Sequence, residues 1–289
     1  MTEPAASPTT GPQGPTVTAL SVTDDISVGP NRFTFVLLDA ENLSIGDAAV
    51  RARFYRITDA GAQLAFEADA EHHNVQDWFP HLHPGGGTHF HAETSSYYAL
   101  PKASFDTAGR WGAEFIVNRA GGPQMTVAGP AFEVRETGST PALGQPVPAT
   151  DNPTLQDVAD IGEIDSSDPP RPELHSISVA EALAAGKPFV VTFSSPSFCQ
   201  SRLCGPVTDV VASLQTVYGD RVNFIHIEPY DMTLLRSQGQ YQLVAASQEW
   251  GLPSEPWTFV VDASGRLAAK FGGVLSPEEL EAAVASLLA

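Results

Sequence analysis

Two cysteines are the side chains of this sequence best suited to covalent chemistry. Cys199 and Cys204 are the only cysteines among 289 residues, and they lie in the run C-Q-S-R-L-C. A cysteine reacts as its thiolate, which a nearby cation and the N–H groups at a helix N-terminus stabilise. Arg202 lies between the cysteines, and Pro206 suits the first turn of a helix. We therefore predict that the pair lies in a loop at the positive end of a helix, as a redox or metal-binding centre.

A disulfide between the two cysteines is compatible with this placement. The bond needs Cα atoms within about 7 Å, and residues five apart in a regular helix are further apart than that. Since the helix is predicted to begin at Pro206, the loop before it can close the bond. A static disulfide of an exported protein is therefore the alternative to a functional pair.

Histidines form a second dense cluster. Six of the eight lie between positions 72 and 91, with an acidic residue just after them. Residues two apart share one face of an extended chain, and a glycine-rich turn at 84–87 separates two such rows. Imidazole with carboxylate suits Cu(II), Zn(II) or Ni(II), so we predict a divalent-metal site; the alternative is a solvated loop without fixed ligand geometry. The predicted ligands are His81, His83, His89, His91 and Glu93.

Composition excludes one class of partner and indicates a location. Fifteen Lys and Arg against 34 Asp and Glu give a net charge of -19, which repels the phosphates of nucleic acids. No apolar run approaches the roughly 18 residues of a membrane-spanning helix, so no transmembrane segment is expected. Residues 1–15 are rich in Pro, Ser, Thr and Gly and are predicted to be a disordered tether. Such tethers typically follow a signal segment or lipid anchor, so we expect an extracytoplasmic protein.

Residues 16–136 are predicted to form an all-β domain. They contain about seven short alternating segments broken by turn residues, without a helical period, which is typical of an antiparallel sandwich. The stretch 105–111, F-D-T-A-G-R-W, resembles the turn into a strand of small immunoglobulin-like domains in bacterial envelope proteins, the YtkA-like group. That resemblance implies an immunoglobulin-like accessory domain of a bacterial cell envelope, with the His-rich loop inserted in it.

A different pattern follows the predicted proline-rich linker at 137–173, in which only 155–161 favours a brief helix. Ser-x-x-Glu capping boxes at Ser178 and Ser276 open the first and last helices of the region 174–289. The predicted elements are a helix at 178–186, a strand at 189–193, a helix from 206, a strand at 222–228, a helix at 240–250, strands at 257–262 and 266–271, and a helix from 276.

This order resembles that of thioredoxin-like folds. The run F-S-S-P-S-F-C ending at Cys199, the helix start C-G-P at Cys204, and S-E-P-W at 254–257 carry the resemblance. It implies that residues 174–289 form an α/β thioredoxin-like domain behind the all-β domain. It also implies a cis peptide bond before Pro256, which would place Glu255 beside the cysteines.

The resemblance further implies thiol-disulfide exchange. In this family the first cysteine attacks and the second resolves, so Cys199 would be the nucleophile and Cys204 its partner. Arg202, Glu255 and Pro256 complete the predicted site. Such exchange requires no cofactor, and its partners are protein thiols or disulfides. The sequence thus predicts an extracytoplasmic thiol-disulfide oxidoreductase with an accessory His-rich domain.

Related families with similar motifs offer alternatives. One-domain peroxiredoxins can carry C-x4-C but need a Thr three residues before the reactive cysteine, where this sequence has Pro196. Sco-type copper proteins carry C-x3-C-P at this helix start plus a distant His, and C-x4-C-G-P is similar. The main alternative is therefore a copper-binding or copper-delivery protein of Sco type in respiratory oxidase assembly, with a metal-receiving protein as its partner. If the chain carries a metal cofactor, copper or zinc is expected. His226, in an apolar strand, is then either a third ligand or, the favoured interpretation, a hydrogen-bonded core residue. A non-catalytic binding module is the remaining interpretation.

Overall fold

The computed structural model describes residues 17–74, 81–82, 88–89, 96–199, 201 and 203–289. The predicted tether at 1–15 lies outside these residues. The described chain forms an all-β N-terminal domain and an α/β C-terminal domain. Among the described residues, no helix combines the length and the apolar character needed to cross a bilayer.

Alternating side chains build the strands of the N-terminal domain. In one strand Val50, Ala52 and Phe54 are buried, while the arginines between them lie at the surface. All seven strands predicted between 16 and 136 are present. They are β1 (Thr18–Ser21), β2 (Gly29–Leu38), β3 (Ala48–Thr58), β4 (Gly61–Asn74), β7 (Ser96–Phe105), β8 (Gly109–Arg119) and β9 (Met125–Val134). Two short strands, β5 (His81–Leu82) and β6 (Thr88–His89), lie between β4 and β7 in the chain.

Strand β4 joins the two layers of this domain. The seven long strands are hydrogen-bonded in the order β1-β2-β7-β4-β3-β8-β9. Through Ala70, β4 pairs with β3, and from Glu71 it pairs with β7. The sheet therefore folds over on itself and encloses an aromatic core, in which each fully buried large side chain contributes roughly 1.5–3 kcal/mol. Members of this core include Phe33, Phe35, Phe54, Phe105, Trp111 and Phe115.

The C-terminal domain is a four-stranded sheet covered by helices on both faces. The strand order is β11-β10-β12-β13, and β10 runs parallel to β11. One core cluster contains residues of α1 and α4, and another contains residues of α2 and α5. The elements are α1 (Val179–Ala185), β10 (Phe189–Phe193), α2 (Cys204–Tyr218), β11 (Asn223–Ile227), α3 (Met232–Gln238), α4 (Ala245–Glu249), β12 (Trp257–Val261), β13 (Leu267–Gly272) and α5 (Pro277–Leu287).

Both predicted capping boxes are present. The Ser178 side chain accepts a hydrogen bond from the N–H of Glu181, whose carboxylate accepts one from the N–H of Ser178. Ser276 and Glu279 do the same at α5. Because these exchanges satisfy N–H groups that a helix start leaves unpaired, α1 and α5 begin where the sequence predicts.

Three helical predictions for the C-terminal domain were incomplete or wrong. Helix α2 begins at Cys204 rather than Pro206, so the second cysteine lies in the first helical turn and not in the loop before it. The helix predicted at 240–250 is confined to α4, because 242–244 pair as an extended segment with 229–231. Helix α3, capped by Asp231, is absent from the predicted order.

The proline-rich segment 137–173 lies along the C-terminal domain. Pro146 forms a β-bridge with Arg266, immediately before β13. The brief helix favoured at 155–161 is replaced by a 3-10 turn at Ile161–Glu163. Several polar side chains of the segment are buried, which ties it to the domain. They are Thr140, Thr150, Asn152, Thr154, Asp165 and Ser166.

A small apolar cluster joins the two domains. Val36, Tyr97 and Ala99 of the sheet β2–β7 are buried together with Val274, which follows β13. Leu203, the residue directly before Cys204, packs against the same cluster. The N-terminal domain therefore contacts the segment between the two cysteines.

Candidate functional site

Cys199 lies one turn beyond the end of β10. The N–H groups of Phe198 and Cys199 both donate to the carbonyl oxygen of Ser195, at 3.0 and 2.8 Å. This turn reverses the chain as it leaves the sheet and leaves Cys199 partly exposed. The end of a buried strand thus positions the first cysteine at the surface.

Cys204 is anchored in the first turn of α2 and is fully buried. The Thr208 hydroxyl donates to the carbonyl oxygen of Cys204 at 2.8 Å and lies 2.7 Å from the hydroxyl of Ser194. Since Ser194 directly follows β10, these contacts tie the start of the helix to the end of the strand. The second cysteine is therefore held rigidly behind the first.

The two thiols have opposite electrostatic environments. The hydrogen bond from the Cys204 thiol is the main cause that lowers the pKa of Cys199, to about 5, and the Ser201 hydroxyl 3.1 Å away also contributes. Backbone N–H groups of Leu203 and Cys204 assist, as expected at a helix N-terminus. Burial raises the pKa of Cys204. The accessible sulfur is thus the acidic one, and the buried sulfur holds its proton.

Glu255 is the third ionisable group of the site. One carboxylate oxygen of Glu255 and the two sulfur atoms lie within 4.8 Å of one another. Burial raises the pKa of Glu255, and the charge of Cys199 adds to this effect. The Tyr230 hydroxyl opposes it by donating a hydrogen bond to Oε2 at 2.5 Å. The peptide bond between Glu255 and Pro256 is cis, which confirms the expectation from the resemblance.

Ser201 and Tyr230 are site residues that the sequence analysis missed. Ser201 lies between the two cysteines in the sequence, and this local pattern could have predicted a hydroxyl close to the Cys199 sulfur. Tyr230 lies just beyond β11, and only the tertiary fold shows that its hydroxyl reaches Glu255. Arg202, which was predicted to stabilise the thiolate, lies outside the described residues.

His226 is a buried core residue rather than a neighbour of the thiols. Its Nε2 lies 2.8 Å from the carbonyl oxygen of Ser194, and its Nδ1 lies 3.2 Å from Nε2 of His175. Among the described residues, the donors grouped around the two sulfurs are completed by a carboxylate and not by an imidazole. These residues therefore do not supply the histidine that a Sco-type copper centre needs.

The predicted histidine site is only partly within the described chain. Strands β5 and β6 pair antiparallel, and His81 lies opposite His89 in their register. His83, His91 and Glu93 lie outside the described residues. The metal site of this loop therefore stays a prediction.

A comparison with protein families agrees with the C-terminal geometry. A family model described as a thioredoxin-like domain matches residues 177–287. A comparison with curated proteins finds no match. A thiol:disulfide interchange protein of the thioredoxin family from Chlorobium tepidum TLS is 20% identical, with a TM-score of 0.29, over 51% of this chain and 100% of its own. A chain from a structure of T cell activation by the superantigen toxic shock syndrome toxin-1 is 12% identical, with a TM-score of 0.22, over 42% of this chain and 98% of its own.

The residues matched by the family model include the cysteine pair and the elements that position it. The matched residues contain the four-stranded sheet, the cysteine at the end of β10, the cysteine at the start of α2 and the cis proline before β12. Residues 177–287 of this chain are therefore a thioredoxin-like domain.

Proposed function

We propose that the chain is a thiol-disulfide oxidoreductase that acts on protein disulfides, with Cys199 as its nucleophile and Cys204 as the resolving cysteine. The asymmetry of the pair carries this proposal. Cys199 is partly exposed with a pKa lowered to about 5, whereas Cys204 is buried with a raised pKa. At neutral pH the first sulfur is then a thiolate that can reach a substrate, while the second stays protonated.

The exchange consists of two displacements. The Cys199 thiolate attacks one sulfur of a substrate disulfide, which forms a mixed disulfide and releases the other substrate sulfur as a thiolate. Cys204 then loses its proton and attacks Sγ of Cys199. The second substrate sulfur leaves as a thiolate, and the two cysteines of this chain are joined. The substrate gains the two electrons that the cysteine pair loses.

Glu255 is placed to accept the proton that Cys204 releases. Its carboxylate lies within 4.8 Å of both sulfurs, and burial raises its pKa. A carboxylate with a raised pKa is a stronger base than an ordinary one. The hydrogen bond from Tyr230 orients that carboxylate toward the pair.

We also propose that the all-β domain forms one side of the substrate site. Leu203 packs against the cluster that contains Tyr97. A hydrogen bond also joins the Asp24 side chain to Ser254, which adjoins Glu255. A substrate disulfide that reaches Cys199 would therefore meet surface of both domains.

Cysteine variants test the exchange. With insulin as the disulfide substrate and a regenerating reductant, Cys199→Ser should abolish insulin reduction. Cys204→Ser should also lose turnover but accumulate a mixed disulfide through Cys199, detected as a mass adduct that dithiothreitol releases. The chain contains no third cysteine, so any adduct is assigned without ambiguity. Adduct formation by Cys199→Ser rather than Cys204→Ser would reverse the proposed roles.

An extracytoplasmic location completes the proposal. The tether-like composition of residues 1–15 supports it. A membrane-impermeant maleimide added to intact cells should label Cys199 of the expressed protein. Labelling only after the cells are permeabilised would place the protein in the cytoplasm.

A further inference from the structure

Three buried ligand-type side chains converge beside Ser194, the residue that follows β10. Asp165 lies in the proline-rich segment 137–173, His175 follows the 3-10 turn at Pro172–Leu174, and His226 lies in β11. Each is only 1% exposed. The proposed thiol chemistry uses none of them.

The distances between their donor atoms are similar to the distances between the ligands of a single metal ion. Nδ1 of His226 lies 3.2 Å from Nε2 of His175 and 3.8 Å from Oδ1 of Asp165, and Nε2 of His175 lies 3.4 Å from Oδ2 of Asp165. Tetrahedral Zn(II) with bonds of about 2.0–2.1 Å places its ligand atoms roughly 3.3–3.4 Å apart. These distances involve both carboxylate oxygens of Asp165. With one donor atom taken from each residue, the three atoms lie within 4.8 Å of one another, close enough to share one ion.

The surrounding hydrogen bonds orient two of these donors, His226 and Asp165, as metal ligands are oriented. A carbonyl oxygen cannot donate, so Nε2 of His226, 2.8 Å from the Ser194 carbonyl, carries the proton and leaves a lone pair on Nδ1. Metal-binding histidines almost always donate their other N–H in this way. Asp165 accepts the backbone N–H groups of Ser167 at 2.8 Å and Arg171 at 2.7 Å, which fixes the plane of its carboxylate.

A cavity of about 400 Å³ adjoins the cluster and is lined in part by His175, His226 and Glu228. Within the described part of the chain, Nδ1 of His175 and Oε2 of Glu228 are buried without a hydrogen-bond partner. A cavity of this size, with two unpaired polar atoms in its wall, has room for a water molecule beside the ligands. Three protein ligands with an open fourth position are the usual arrangement of a zinc site that remains accessible.

We propose that Asp165, His175 and His226 bind one divalent first-row cation of the Zn(II) type. The donor set of two imidazoles and one carboxylate suits such ions. An ion bound there would join the proline-rich segment 137–173 to β11. It would also be linked to the end of β10, because its ligand His226 lies 2.8 Å from the carbonyl oxygen of Ser194. This site is separate from the cysteine pair and from the His-rich loop, so its test is independent of both.

The test uses the full chain with competing donors removed. A background variant carries Cys199→Ser, Cys204→Ser, His81→Ala, His83→Ala, His89→Ala and His91→Ala, and keeps the other four histidines. It should bind one equivalent of Zn(II) with a dissociation constant of about micromolar or tighter in calorimetry. Co(II) in its place should give the visible absorption of a four-coordinate ion. A dissociation constant weaker than about 100 μM for the background variant overturns the proposal.

Single substitutions in the background identify the ligands. His175→Gln and Asp165→Asn should each weaken Zn(II) binding by about 100-fold or more, beyond the 10–100-fold typical of outer-shell changes. His72→Gln, the same substitution at an exposed histidine of β4, should leave binding unchanged. Binding that survives both ligand substitutions places the ion elsewhere and overturns the proposal.

Nitrogen chemical shifts provide a second measurement if a buried substitution prevents folding. In the background variant itself, Zn(II) should shift the ring nitrogens of His226 and His175, most strongly Nδ1 of His226 and Nε2 of His175, and leave those of His72 and His73 unchanged. Shifts confined to His72 and His73 would overturn the assignment.

Discussion

Arg32 of β2 and Glu279 of α5 form a bidentate ion pair between the two domains, with N–O distances of 2.7 and 2.8 Å. Both side chains are only 9% exposed. The Tyr97 hydroxyl donates to the same carboxylate at 2.5 Å. The pair closes over the apolar cluster of Tyr97, Val274 and Leu203, so the domains are held together by a buried charge contact as well as by apolar surface.

Removing Arg32 should therefore destabilise the protein strongly. Arg32→Ala leaves the carboxylate of Glu279 buried without its cation, a change that typically costs about 3–5 kcal/mol. Arg51→Ala is the matched control, because Arg51 pairs with Asp69 at the surface, where such a pair contributes about 1 kcal/mol or less. Urea unfolding of both variants measures the difference. Equal losses would show that the interdomain pair has no special role.

The same pair predicts an acid dependence of stability. Burial alone would raise the pKa of Glu279, but Arg32 and Tyr97 outweigh burial and lower it below the ordinary value of 4.5. A carboxyl with a lowered folded-state pKa stabilises the protein above its unfolded pKa, and this contribution is lost as pH falls through the folded value. The stability difference between the parent and Arg32→Ala should thus be largest near neutral pH and shrink as pH falls. The Glu279 carboxyl is protonated first in the variant, where burial raises its pKa, and only at lower pH in the parent. A difference that grows on acidification contradicts this assignment.

Alkylation should report the acidity of Cys199 directly. With a pKa of about 5, the Cys199 thiolate is fully formed at pH 7, so the iodoacetamide rate should rise around pH 5 and then level off. Cys204→Ala isolates this reaction but also removes the main hydrogen bond to the Cys199 thiolate, so its midpoint should lie higher than in the parent. In the parent, mass mapping at limiting reagent should find the adduct on Cys199. Faster labelling of Cys204 would refute the assigned roles.

Glu255→Gln should move that midpoint to lower pH. The carboxylate lies within 4.8 Å of the Cys199 sulfur, so its charge disfavours the thiolate, and glutamine removes the charge with little change in volume. The effect appears near pH 5 rather than near neutrality, since Cys199 is already ionised at pH 7. Glu71→Gln, at an exposed position of β4, is the control. An unshifted midpoint would show that Glu255 does not influence the thiol.

The His-rich loop is tested by calorimetry. Full-length protein with both cysteines changed to Ser and with Asp165→Asn removes the competing donors. It should bind one Cu(II) or Zn(II) ion through His81, His83, His89 and His91. Binding should be lost when His89 and His91 are both changed to Ala. An affinity no tighter than about millimolar before that change contradicts the prediction.

Local patterns predicted much of the fold and the thiol site. The capping boxes at Ser178 and Ser276 and the strand-end position of Cys199 depend on neighbours within a few residues, and the structure confirms them. The resemblance, rather than any pattern, supplied the cis bond before Pro256 and the closeness of Glu255 to the cysteines.

Contacts between distant segments were beyond the reach of local patterns. The buried cluster of Asp165, His175 and His226 forms only when the proline-rich segment 137–173 packs against β11. The spacing of these residues in the sequence matches no metal-binding motif. The helix predicted at 240–250 was shortened for a related reason, since 242–244 pair with a segment that precedes α3.

The position of Leu203 has an energetic consequence for the thiols. This residue lies between the two cysteines and also packs in the contact between the domains. Any difference in that packing between the dithiol and the disulfide form is a coupling free energy, and such couplings are reciprocal. The strength of domain docking then sets part of the reduction potential, and oxidation of the pair alters docking by the same amount. A partner that pulls the domains apart would thereby change how readily this protein gives up its electrons.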